Sequence, residues 1–152
     1  MKLAEALILR ADCQKKIAQL RQRLSRVAKV QEGEQPAENP ADLLAELESV
    51  TAELVILIKR INRTNSTTPF QGETLADVLA ERDVLMLKRN TYANLVEEAA
   101  IRQDRYSRSE VRFVSTIDIA AIQRQVDNLS RDYRELDAQI QALNWQTDLI
   151  EN

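Results

Sequence analysis

Two polar clusters in this 152-residue chain carry side chains able to do chemistry. Arg102, Asp104, Arg105, Tyr106, Ser107, Arg108 and Glu110 crowd forked guanidinium donors into one short stretch. Such forks suit carboxylate or phosphate oxygens, which they bind two at a time. Asn62, Arg63, Thr64 and Asn65 form the second cluster, at the end of an expected helix that Asn144 and Trp145 also reach in an up-down bundle. Arg82 and Arg89 stand apart, on an otherwise apolar seam, where they either pair inside the fold or line an interface or cleft. The candidate anion-binding or interface residues are therefore Asn62, Arg63, Asn65, Arg82, Arg89, Arg105, Tyr106, Arg108 and Trp145. Capping and tying down irregular backbone at a bundle end is the competing role for both clusters.

Other chemistry is thinly supplied. With no histidine, the chain lacks the commonest general base and the commonest transition-metal ligand. Cys13 is the single cysteine, so neither a disulfide framework nor a zinc site can be assembled. Two separated glycines make no phosphate-cradling loop. Glu97, Glu98 and Asp104 lie close in sequence, but acid-pair hydrolysis needs a cleft and a fixed carboxyl separation. No catalytic, metal or cofactor-binding residue is expected, and the chain reads as non-enzymatic.

The elements that would position these groups are helices. Two glycines and three prolines are too few for the frequent turns of a strand-rich fold. The first helix is expected over about 2–30, with Cys13, Ile17, Leu20, Leu24 and Val27 spaced as a coiled-coil seam. Asn39-Pro40 opens a second over 40–63, with Asn39 as N-cap and Pro40 at the first helical position. A third is expected over 74–103 with Thr74 as cap, and a fourth over 116–144 capped by Ser115 or Thr116. The fourth has the cleanest heptads, from Ile119 through Val126 and Tyr133 to Leu143. Val111 and Phe113 alternate with charged residues, which points to one short β segment near 110–116. Its strand partner would be Ala28–Glu32 or another subunit. The expected fold is all-α: a single domain forming an antiparallel four-helix bundle, or long helical hairpins, with that one β segment.

Charge and apolar surface indicate partners. Residues 1–30 hold eight bases and two acids, whereas residues 31–58 hold seven acids and no base. An antiparallel pairing of the first two helices answers one block with the other, so nucleic-acid binding is not expected. The second helix carries two adjacent apolar stripes, and the third adds Val84, Met86, Leu87 and Leu95 outside its seam. That surplus predicts a homo-oligomer. No apolar run approaches the ~18–20 residues of a membrane span. Met1-Lys2 leads straight into an amphipathic helix, so a reduced, cytoplasmic setting is expected.

Five segments resemble a known family: Lys29-Val-Gln-Glu-Gly33, Ile61-Asn-Arg-Thr-Asn65, Leu79-Ala-Glu-Arg-Asp83, Asp104-Arg-Tyr-Ser-Arg-Ser-Glu110 and Ala142-Leu-Asn-Trp145. They are similar to the septicolysin-like family of small bacterial proteins, along essentially the whole chain. The resemblance implies a bacterial helical protein, and the family's name implies a membrane-active toxin. It brings no catalytic residues with it. Three functions follow in order: a homo-oligomeric scaffold or interaction protein, an anion-binding module built on the arginines, and a septicolysin-like toxin.

Overall fold

Helices α1 (Leu3–Val27), α2 (Pro40–Thr67), α3 (Leu75–Ala99) and α4 (Ile119–Gln146) dominate the computed structural model, which describes residues 1–100 and 111–152. The fold is all-α with one very short β hairpin, as the composition requires. Among the described residues, no helix is long and apolar enough to cross a membrane.

The chain divides into two compact units, Met1–Thr74 with Ala142–Asn152, and Leu75–Gln141. In the first, α1 and α2 form a hairpin. Lys16 pairs with Glu46 at 3.4 Å, and Arg23 Nε donates to Glu38 Oε2 at 3.1 Å. Advancing along one helix retreats along the other, so the two are antiparallel. This register places Leu20 level with Leu43 and Cys13 level with Val50, all four buried. Ala6, Cys13, Leu20 and Val27 recur every seven residues, as do Leu43, Val50, Leu57 and Thr64, so each helix turns one constant stripe inward.

The chain's end closes this unit. Leu3 N donates to Thr147 O and Leu149 N to Met1 O, each at 2.9 Å, around an antiparallel bridge between Lys2 and Asp148. Lys2 Nζ lies 2.7 Å from Asp148 Oδ1, and that contact holds the Asp148 carboxyl below the usual range. Ile150 N donates to the buried hydroxyl of Thr64 at 3.0 Å.

Helix boundaries follow local chemistry. Asn39 Oδ1 accepts from Ala41 N at 3.0 Å, with Pro40 in the first turn. α2 runs on to Thr67, beyond the expected 63, and its Thr64, Ser66 and Thr67 hydroxyls donate to carbonyls four residues back. α4 begins at Ile119 rather than 116. Its cap is Asp118, whose Oδ1 accepts from Ala121 N at 3.0 Å, and not Ser115 or Thr116. Ser115 Oγ instead accepts from Ile117 N in a local turn.

The β segment is not near 110–116. Residues 111–115 are irregular, and residue 110 lies outside the described residues. Val111 and Phe113 are 61% and 82% exposed, so no buried face drives their alternation. The ladder lies instead at β1 (Pro69–Phe70) and β2 (Glu73–Thr74), paired Pro69 with Thr74 and Phe70 with Glu73. Gln71 and Gly72 join them with positive φ at both positions (49° and 87°), the conformation of a two-residue hairpin turn. Glycine adopts it without strain, which is why Gly72 stands there.

In the second unit α3 and α4 are also antiparallel. Arg82 bonds Asp137 and Arg89 bonds Ser130, each at 3.0 Å. Of α3's 25 residues only Leu75 and Val78 are buried, and Val126 and Ile140 are buried on α4.

Two outcomes test the first unit. Thr64→Val should leave Ile150 N–H without its acceptor and lower stability by roughly 1–3 kcal/mol in urea unfolding, whereas Thr64→Ser should stay close to the parent. The guanidinium of Arg23 holds the Glu38 carboxyl below its ordinary range. A carboxyl depressed in the folded state contributes stability above its unfolded pKa and loses it as pH falls through the folded one. Melting temperatures followed from roughly pH 5 down to 2 should therefore fall less steeply in Glu38→Gln than in the parent.

Candidate functional site

The seam arginines are committed within the second unit. Arg82 Nη1 bonds Asp137 Oδ1, and its Nη2 lies 3.2 Å from Asp83 Oδ1. Arg89 donates from Nε to Ser130 Oγ and from Nη1 to Asn90 Oδ1 at 3.1 Å. Ser130 Oγ in turn donates to Val126 O at 2.8 Å. Of the two roles open to these arginines, the geometry selects pairing inside the hairpin over lining a cleft.

The polar end of α2 divides by burial. Asn62 and Arg63 are exposed and Asn65 half-buried, while Thr64 is buried and bonded to Arg60 O and Ile150 N. Trp145 is 55% exposed and Asn144 beside it is buried. Arg105, Tyr106 and Arg108, with the rest of the arginine-rich stretch, lie outside the described residues. Cys13 is buried, and burial with Glu53 and Asp12 nearby pushes its thiol up, which keeps it protonated and unreactive at neutral pH. Among the described residues no group of His, Cys, Asp or Glu could hold a metal ion.

Recesses in the surface differ in lining, from apolar to one walled by Lys88, Gln125 and Asn128. One of about 390 Å³ lies where Phe113, Val114 and Ile117 approach Leu95 and Ala99, with Glu98 as its single carboxylate among the described residues.

Apolar side chains are also exposed on the outer face of α3. Val84, Leu87 and Leu95 are 62%, 65% and 42% exposed. Ala80 and Thr91, also exposed, extend the line through Val84 and Leu87 at steps of four and three, and exposed Asn94 ends it on an amide. The seam through Arg82, Leu85, Arg89 and Tyr92 faces α4, so α3 is apolar on two roughly opposite sides. A shallow depression of about 480 Å³ on the outer side is lined by Ala80, Glu81, Val84, Leu85 and Lys88. The apolar residues of this face were legible in the sequence. The charged edge formed by Glu81 and Lys88 was not, because a step of seven between charges carries no meaning until the buried side of the helix is known. Lys88 Nζ sits 5.8 Å from the Tyr92 ring centre, a cation over an aromatic face.

Residues 10–149 match the model of a family of unknown function (DUF6847), and the chain belongs to that family. It is also similar to a solved protein described as a functionally unknown conserved protein from Corynebacterium diphtheriae. Identity to that protein is 51% and the TM-score 0.91, over 99% of each chain. No curated protein matches the chain.

Arg82 and Asp137 are each part-exposed, so their pairing should be modest. A double-mutant cycle with Arg82→Met and Asp137→Leu should give a coupling of roughly 0.5–1 kcal/mol in denaturant unfolding. A coupling of zero would remove the pair from the account of this hairpin.

Proposed function

We propose that the protein is a non-enzymatic bacterial cytoplasmic interaction protein that works as a homo-oligomer. The observation that carries this reading is the exposed apolar line on α3, running from Ala80 through Val84 and Leu87 toward Leu95. Single exposed apolar residues are ordinary, but a contiguous line at seam spacing is a surface shaped for another helix. Covering side chains such as Val84 and Leu87 contributes roughly 1–2 kcal/mol each, because both are only partly shielded in one chain. The thin core of the second unit supports the same reading, since α3 has two buried residues where α2 has five. The anion-binding alternative draws on Arg63, Arg82, Arg105 and Arg108. It is weakened by the prior engagement of Arg82 with Asp137 and Asp83.

Light scattering at micromolar concentration should return a multiple of the 17.4 kDa chain mass. Leu87→Glu, at a position exposed in the single chain, should lower that mass while leaving the helical circular dichroism unchanged. A parent mass of one chain that does not rise with concentration overturns the proposal.

A further inference from the structure

Resting on that homo-oligomeric reading, we infer that the outer face of α3 binds the same face of a second copy in antiparallel orientation, about a two-fold axis near Leu85. Three observations carry it. The line through Ala80, Val84, Leu87 and Thr91 to Asn94 alternates steps of four and three, which is the spacing one helix needs to follow another. Its members are exposed, so no described residue of the second unit buries it. One edge of the line carries Glu81 and Lys88, seven residues apart, and among the described residues neither is in an ion pair with another side chain.

An acid and a base spaced along one edge are self-complementary under a two-fold axis perpendicular to the helix. In that arrangement Val84 meets Leu87 of the second copy, and Ala80 meets its Thr91. Glu81 comes beside its Lys88, and each contact occurs twice by symmetry. The alternative is a parallel pair, in which every seam residue faces its own equivalent. That would set Glu98 against Glu98 at one end of the line, where like charges repel. The antiparallel pair carries Glu98 past the end of the partner helix. An acidic end and a mixed-charge edge thus favour one orientation of one occupant.

The test uses Ala80→Cys and Thr91→Cys in the full-length chain; native Cys13 is buried, and the parent serves as the control. Under mild oxidation, co-expressed Ala80→Cys and Thr91→Cys chains should give a disulfide-linked dimer, and neither variant alone should. Strong crosslinking of each variant alone, with none in the mixture, would establish the parallel pair and overturn the inference. An oligomeric mass with no crosslink in any combination would overturn the inference while leaving the homo-oligomer standing. A monomeric mass would remove both. Independently, Glu81→Lys and Lys88→Glu should each weaken association about tenfold, since two attractive pairs become two repulsive ones. The double swap should restore it. Failure of the double swap to recover affinity would count against this register.

Discussion

Two helices lying side by side can bury only one stripe on each, and that limit organises each half of this protein. In the first unit one stripe of each helix is buried, while Ile8, Leu44, Val55 and Ile56 stay about half exposed. α1 and α2 repeat their buried residues every seven positions, and the terminal segment crosses the start of α1 to bond Met1, Leu3 and Thr64. Backbone donors that would otherwise be stranded at the hairpin's end find acceptors there, which matters more than the modest worth of each bond made.

In the second unit the same limit leaves a remainder. The seam of α3 is interrupted by Arg82 and Arg89, whose guanidinium groups reach α4 through Asp137 and Ser130. Pairing these arginines avoids leaving a charge partly desolvated and unmatched. It also takes volume that apolar side chains would fill, and Leu85, Tyr92 and Leu129 remain only half-buried. Apolar residues stand instead on the other side of the helix, at Val84 and Leu87, which no residue described in the second unit buries. A weak inner seam and an apolar outer face on one helix are two sides of one design.

Several polar side chains among the described residues hold structure. The hydroxyls at the end of α2 bond back to helix carbonyls, and that of Thr64 also accepts from Ile150 N. The lone thiol fills a core position level with Val50, and the seam arginines anchor α4. Membership in a family of unknown function, and a crystal structure with 51% identity, place the fold firmly while leaving activity to the surface features. Among those features the α3 face is distinguished by having both a repeat and a complementary charge pattern.

The sequence alone determined the four helices, their approximate bounds and the antiparallel answer of the basic block to the acidic one. Heptad spacing, Asn39-Pro40 and the scarcity of glycine are local signals, read without knowing any neighbour. Tertiary structure decided what depends on distant partners. It moved the β ladder from near Val111 to Pro69–Thr74, because a turn with two positive φ angles sets its flanks in register while an exposed alternation has no buried face to hold one. It moved the last cap to Asp118 and joined Thr64 to Ile150 across 86 positions of sequence. It also settled which side of α3 meets α4. A helix with apolar residues on two sides gives periodicity no preferred direction, and only the positions of Asp137 and Ser130 broke that tie.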